Sequence, residues 1–248
     1  TFEGPILDLG CGNGLFSFVR AGGRLGPDFD AFSHVTDTSG FEDNQDIYNQ
    51  HKAGIEKAVV TAPRYQIDVG LDQKDGLLAA ASGLGLYGEL VQGDANETLP
   101  FADGRFQTVF SNIVYWLDDQ EKVLAEIARV LAPGGRAYLH LPSDTFRDFS
   151  FYQSLCVKTG DARWDWLRHL DRGRYDDYKL CRSLDEWSAD FAAAGLQVNK
   201  AKRYLSKVTL GAWDIGLRPI SPYLIEMANA VPAEMRQEIK RRWIEGMM

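Results

Sequence analysis

The stretch ILDLGCGNGLFSF, residues 6–18, constrains the fold more than any other part of this chain. Ile6 to Leu9 reads as a short buried strand running straight into Gly10, Gly12 and Gly14. Leu15, Phe16, Phe18 and Val19 then supply the apolar side of a helix. Glycines at alternate positions let the backbone turn tightly and let a ligand approach it closely. A strand, glycine turn and helix in succession is the opening unit of an open α/β sheet, whose ligands bind beyond the carboxyl ends of the strands. Asp8, two residues before the first glycine, places a carboxylate at that end, where a cationic ligand group can sit. The turn has three readings: a dinucleotide site, a site for another nucleotide-bearing ligand, or a tight turn alone. The third glycine comes one residue too early for the dinucleotide pattern GxGxxG, which disfavours NAD.

The rest of the chain continues the alternation. Tyr65 to Leu71 reads as a second strand, Asp72 to Gly85 as a helix rich in Leu and Ala, and Glu89 to Val91 as a third strand ending at QGDA. After the turn PFADGR, Phe106 to Ile113 reads as a fourth strand. Val123, Leu124, Ile127 and Leu131 mark one face of the next helix, which APGG ends. Arg136 to Leu141 is a fifth strand. Ser183 and Glu186 form a capping box opening the helix LDEWSADFAAAG, and LQVNKAKRYL is read as a sixth strand. The expected fold is a doubly wound, mostly parallel, Rossmann-like α/β sheet with helices on both faces.

Two segments break the rhythm within an expected domain over residues 1–215. Residues 20–64 read as an inserted loop plus helix, with Ile47, His51, Ile55 and Val59 recurring every four residues, placed as a lid. Residues 145–182, crowded with Phe146, Phe149, Phe151, Tyr152, Trp164, Trp166, Tyr175 and Tyr178, are placed as a substrate wall. The tail, residues 216–248, reads as one or two helices broken near Pro232. These helices dock on the domain or on a second copy, which leaves a homo-oligomer open.

A formal charge of −8 gives no chain-wide positive field for nucleic acid or an anionic membrane. The local cations Lys200, Lys202 and Arg203, and again Arg236, Lys240, Arg241 and Arg242, read as solvated faces. Cys11, Cys156 and Cys181 lie far apart with no CxxC pair, which argues against a zinc site or disulfide framework. With no long apolar run and no leader segment, the expectation is a soluble cytoplasmic protein without a membrane span.

LDLGCGNG resembles motif I of the class I S-adenosylmethionine-dependent methyltransferases, of the small-molecule type with a ubiquinone/menaquinone-methyltransferase-like core. The resemblance implies S-adenosylmethionine as donor, S-adenosylhomocysteine as product, and Asp8, Gly10, Cys11, Gly12 and Gly14 around the donor. IDVGLD presents Asp72, followed by Gln73, where the family holds both ribose hydroxyls, and a carboxylate accepts two such bonds. VQGDA presents Gly93, with Asp94 for the adenine amino group and Ala95 beside the ring. Ser111 and Asn112, in FQTVFSNIVYWLDD, face the methionine part, and VLAEIARVLAPGGRAYL resembles the helix and Gly-Gly turn that follow. Plain alternatives stay open. Asp72 caps its helix, Asp94 shapes a turn, and Asp68 is a rival for the ribose. The match departs from the family in two ways. Only five residues precede the first strand where the family carries covering helices, and 58 positions (72 minus 14) separate Gly14 from Asp72 where about 20 suffice.

Methyl transfer from a sulfonium is an in-line displacement, so the protein's task is alignment and water exclusion, and no metal is required. A hydroxyl acceptor also loses a proton to a positioned base. His140, near the end of the fifth strand, and His169, near Asp171, are candidates, with a packed core His140 and a surface His169 as the alternatives. His34 and His51 fall in the insertion. Tyr115 and Trp116 border the acceptor or simply pack. The expected activity is methylation of a small-molecule acceptor, a hydroxyl of a natural product, glycan or lipid intermediate. The alternatives are nitrogen or carbon methylation, a non-catalytic methyltransferase-like binding domain, and an NAD-dependent oxidoreductase.

Overall fold

The computed structural model describes residues 2–26, 29, 54–167, 180–216 and 221–247. Five strands form one parallel sheet: β1 (Ile6–Leu9), β4 (Ile67–Asp72), β5 (Tyr87–Gln92), β6 (Phe106–Ser111) and β7 (Leu131–Leu139), in the order β5-β4-β1-β6-β7. A separate antiparallel pair joins β2 (Arg24–Leu25) to β3 (Val59–Thr61). β1 is central because the whole of ILDL is buried and pairs on both sides, with Leu9 opposite Leu71 and Ser111. A central parallel strand loses water from both faces, which is why it reads as a continuous apolar run.

Leu7, Leu9, Val69, Leu71 and Val109 form one core with Val123, Leu124, Ile127 and Val130 of helix α3 (Gln120–Val130). Phe191 of α6 (Leu184–Ala193) packs on the same core. The second core, Ile6, Phe18, Ala21, Ile67, Leu84 and Leu86, lies under α1 (Leu15–Arg20) and beside the end of α2 (Asp75–Ser82). The capping box is present at the start of α6, where Ser183 Oγ accepts from the Glu186 amide and Glu186 accepts from the Ser183 amide at 2.7 Å. Farther along, Phe151 of α5 (Phe151–Thr159), following α4 (Phe146–Phe149), donates its amide to Asp214 of α7 (Lys207–Gly216) at 3.0 Å. The tail forms α8 (Ser221–Ala230) and α9 (Ala233–Met247), with the break at residues 231–232. Among the described residues no helix is long and apolar enough to cross a membrane.

Four expectations are corrected. LQVNKAKRYL is not a strand. Residues 196–206 have no sheet partner among the described residues, and Lys200, Lys202 and Arg203 stay exposed, although β7 ends the strand order and leaves an edge there. Leu131 opens β7 opposite Phe106 instead of closing α3, and the APGG segment lies inside that strand, where a register shift absorbs it. Asp72 ends β4, and α2 begins only at Asp75. Ile55 starts a single 3₁₀ turn over Ile55–Ala58 and Val59 belongs to β3, so no four-residue helical period links them; Ile47 and His51 lie outside the described residues.

Both described ends of the insertion are rooted beneath the second core. Leu25, Ile55 and Val59 pack there, and Arg64 donates its amide to Ala21 at 2.8 Å.

Candidate active site at the switch point of the sheet

The connections from β1 run to opposite sides: β4 and β5 lie to one side of it, β6 and β7 to the other. The Gly10–Gly14 turn leaves the sheet at this reversal of strand order, the place where open α/β sheets leave a crevice. Gly10, Gly12 and Gly14 have φ values of 75°, 55° and 74°, all in the left-handed region that side chains disfavour. Gly10 and Cys11 both donate their amides to Leu71 O, at 2.8 and 3.0 Å, so the turn is tied to β4.

The three glycines serve different ends. A Cβ on Gly10 would lie 2.4 Å from Ile113, and one on Gly14 would lie 2.8 Å from the Tyr87 ring. One on Gly12 would meet nothing within 4 Å. The first and third are thus required by packing inside the protein, and the second faces open space, where a ligand can approach the bare backbone. Gly12→Ala is accordingly expected to fold, at a cost of about 1–2 kcal/mol for a left-handed alanine. The same change should reduce nucleotide-ligand affinity at least about tenfold by occupying that space. Thermal melting alongside calorimetry checks both halves, and unchanged affinity would show that Gly12 does not line the ligand.

Asp72 stands at the end of β4 facing this turn. Its Oδ2 accepts from the Gly12 amide at 2.8 Å and its Oδ1 from the Lys74 amide at 3.0 Å. Each oxygen uses one lone-pair direction on the backbone and keeps another for a hydroxyl, so the carboxylate is fixed in place and still able to accept a diol. It does not cap α2, whose N-cap is Lys74. Asp68, the rival, accepts from the Ile6 amide at 2.7 Å, at the opposite end of β1.

The remaining candidates fall around the same end of the sheet. Gly93 donates its amide to Asp72 O at 3.1 Å, which brings the end of β5 to the end of β4. Asp94 is exposed and accepts from the Asn96 amide at 2.9 Å, so it shapes a turn as well as presenting a carboxylate; Ala95 beside it is buried. Gln73 is exposed, and its carbonyl accepts from the Gln92 amide group at 3.2 Å. Ser111 is fully buried at the end of β6, its hydroxyl accepting from the Ile113 amide at 3.3 Å. Asn112, half-buried, follows directly. Tyr115 and Trp116 occupy the 3₁₀ turn after β6 with ring centroids 5.6 Å apart, and Trp116 is 58% exposed.

His140 follows β7 and donates its amide to Ser111 O at 3.0 Å. Its ring stands edge-on to Phe110 at 5.3 Å and to Phe16, two residues past the glycine turn, at 5.6 Å. Burial, and then the nearby Arg20 guanidinium, hold its pKa below the ordinary histidine range. It is therefore a neutral imidazole at pH 7. His169 with Asp171, and His34 and His51, lie outside the described residues.

Asp8 and Tyr87, the second of which carries no sequence motif, are paired beside the turn. Asp8 is 2% exposed and does not stand free for a cation. Its carboxylate accepts from the Tyr87 hydroxyl at 2.7 Å and from Ser17, and burial raises its pKa despite those bonds. Tyr87, on the edge strand, gave no signal in GLYGEL beyond a strand-forming aromatic. Cys11 is half-buried, and desolvation first, then Asp8 and Asp72, push its thiol pKa far up, so it is a neutral thiol of the turn. No group of three or more His, Cys, Asp or Glu placed to hold a metal occurs among the described residues.

The family model described as "Methyltransferase domain" matches residues 56–139. Malonyl-[acyl-carrier protein] O-methyltransferase 1 of Coxiella burnetii is 41% identical over 73 residues, covering 29% of this chain and 24% of that protein. The uncharacterized methyltransferase YcgJ of Bacillus subtilis is 25% identical over 164 residues, covering 63% of this chain and 58% of the other. This chain therefore spans less than two thirds of either relative. The crystal structure of the Bacillus protein aligns at 19% identity and a TM-score of 0.46, covering 94% of this chain and 80% of that one. The matched residues 56–139 carry Asp72, Asp94 and Ser111 but stop short of the glycine turn, which the insertion separates from them in sequence and the sheet returns to them in space. Over residues 56–139 the chain is thus similar to methyltransferase domains, and the matched stretch holds the carboxylate that faces the glycine turn.

Proposed function

We propose that this protein binds S-adenosylmethionine across the Gly10–Gly14 turn and Asp72, and methylates a hydroxyl of a small-molecule natural product, glycan or lipid intermediate. The observation that carries the reading is the Asp72–Gly12 bond: it fixes a carboxylate with spare acceptor capacity beside the one turn glycine that faces open space. That pairing suits a ribose diol next to an amino-acid tail that must pass close to backbone. Asp94 and buried Ala95 suit an adenine edge and face, and Ser111 and Asn112 suit the methionine part.

S-adenosylmethionine supplies an electrophilic methyl group on a sulfonium. Transfer forms an acceptor oxygen–methyl bond and breaks the methyl–sulfur bond, whose electron pair stays on sulfur; the hydroxyl proton leaves to a base. His140 fits that last role, since a neutral imidazole accepts a proton and its ring lies among Phe16, Phe110 and Tyr204 beside the turn. Those rings, with Tyr115 and Trp116 in the turn after Ser111, offer apolar surface that excludes water from the methyl's path once donor and acceptor cover it.

The test is incubation with S-adenosylmethionine and a metabolite extract, following S-adenosylhomocysteine and products heavier by one methylene. Donor-dependent product is expected. His140→Ala should lower kcat by about 100-fold, within the range of general-base catalysis, while leaving the donor dissociation constant near its wild-type value. Donor binding without any turnover would leave a non-catalytic binding domain, and NADH binding without donor binding would restore the oxidoreductase. Full activity in His140→Ala would remove the histidine from the chemistry.

A further inference from the structure

We infer that Tyr87 is a positioning residue for the donor: its hydroxyl, bonded to Asp8 across Gly70, holds the strand, turn and helix of the glycine loop in one register. The inference rests on the proposed donor site and concerns a residue outside it, on the edge strand β5. In sheet order β4 lies between β5 and β1, so a side chain from β5 reaches Asp8 only by crossing β4. It crosses at Gly70, which pairs with Asp8. A Cβ there would lie 2.9 Å from two atoms of the Tyr87 ring and 2.9 Å from Leu90. Gly70 is thus the gap through which the phenol passes.

What the hydroxyl meets beyond that gap is specific to the loop. It donates to Asp8 Oδ2 at 2.7 Å, in β1, and it also meets Ser17 on α1 and the Cys11 thiol in the turn. The Tyr87 ring lies 2.8 Å from where a Gly14 Cβ would stand. One side chain therefore contacts β1, the turn and α1, the three pieces whose relative placement sets the backbone path from Gly10 to Gly14. A charged acceptor and a phenol make a stronger bond than two neutral groups, and the burial of Asp8 strengthens it further.

Asp8 also feels Arg20 and Asp72, and Cys11 lies against it. With the phenol removed, a buried Asp8 carboxylate loses one of its two hydroxyl donors and holds its proton to higher pH. A neutral Asp8 attracts a cationic donor less, so a defect caused through Asp8 deepens as pH falls. A merely destabilised fold would show the opposite sign, because a buried acid with a raised pKa lowers fold stability as pH rises.

The experiment measures S-adenosylhomocysteine and S-adenosylmethionine affinity by calorimetry at pH 6 and pH 8 in the full chain, for wild type, Tyr87→Phe, Ser17→Ala and Gly70→Ala. Tyr87→Phe keeps the ring and is expected to weaken the donor by about tenfold, one charged hydrogen bond's worth, and by more at pH 6 than at pH 8. Asp8→Asn added to Tyr87→Phe should abolish that pH difference. Gly70→Ala, which displaces the ring without touching the donor site, should weaken binding in the same direction, and it keeps the inference testable if Tyr87→Phe does not fold. Equal affinity in wild type and Tyr87→Phe, or a lowered melting temperature with affinity intact, would overturn the role of Tyr87 alone. A wild-type protein that binds neither donor nor product overturns the donor site and this inference together.

Discussion

Asp72→Ala is expected to weaken S-adenosylhomocysteine binding by roughly 100-fold or more, since two hydroxyl bonds to a carboxylate together contribute about 3 kcal/mol or more. The substitution acts twice. It removes the acceptor offered to the ribose, and it strips the Gly12 and Lys74 amides of their partner, so the turn itself loosens. Asp72→Asn separates the two effects. The amide oxygen keeps one acceptor, whereas the amide nitrogen can no longer accept, and a loss between wild type and alanine follows. Calorimetry with the product avoids turnover during the titration, and melting curves show whether the variants remain folded. An unchanged dissociation constant in Asp72→Ala would place the ligand elsewhere.

Arg129→Met should destabilise the fold by about 3–5 kcal/mol, the cost of removing one partner from a half-buried charged network. Arg129, near the end of α3, donates to both Glu126 oxygens at 2.7 Å, to the carbonyls of Leu99 and Phe101 at 3.0 and 2.8 Å, and to Asp103 at 2.7 Å. Glu126 in turn accepts from the Leu99 amide at 2.8 Å. This clamp fixes the loop that descends from Asp94 to β6, so its loss reaches the proposed adenine end of the site. The pH dependence has a definite sign. The Arg129 hydrogen bond is the largest of several effects holding Glu126 below the ordinary glutamate range. A carboxylate with a depressed folded-state pKa contributes stability that is fully present above its unfolded value, near 4.5, and is lost as pH falls through the lower folded value. Wild type should therefore lose stability more steeply than Arg129→Met below pH 4.5 in urea titrations. Equal slopes would mean that the pair contributes nothing beyond packing.

Much of the candidate site's local geometry was legible because its signals are local. Gly10, Gly12 and Gly14 announce left-handed backbone, Asp72 follows an apolar strand directly, and Ser183 with Glu186 reads as a cap from four residues. Local signals fail where an outcome depends on what is available to pair with. LQVNKAKRYL alternates as a strand does, yet beyond β7 it stays unpaired and exposed. Leu131 continues a helical face in sequence, but the sheet captures it because its backbone lies opposite Phe106.

Asp8 shows the same division at a single atom. Its position two residues before a glycine turn marks a carboxylate at the sheet's carboxyl end, and composition has nothing to say about Tyr87, 79 residues later. Only the order β5-β4-β1 brings the phenol across Gly70 to that carboxylate. The amino-acid sequence alone determined the first strand, glycine turn and helix, the positions of the left-handed glycines and the carboxylate that ends β4, because backbone sterics and side-chain periodicity act over a few residues. The tertiary structure alone decided which segments joined the sheet, which glycine faces open space and which donor holds Asp8, because those depend on chain segments meeting after long loops have closed.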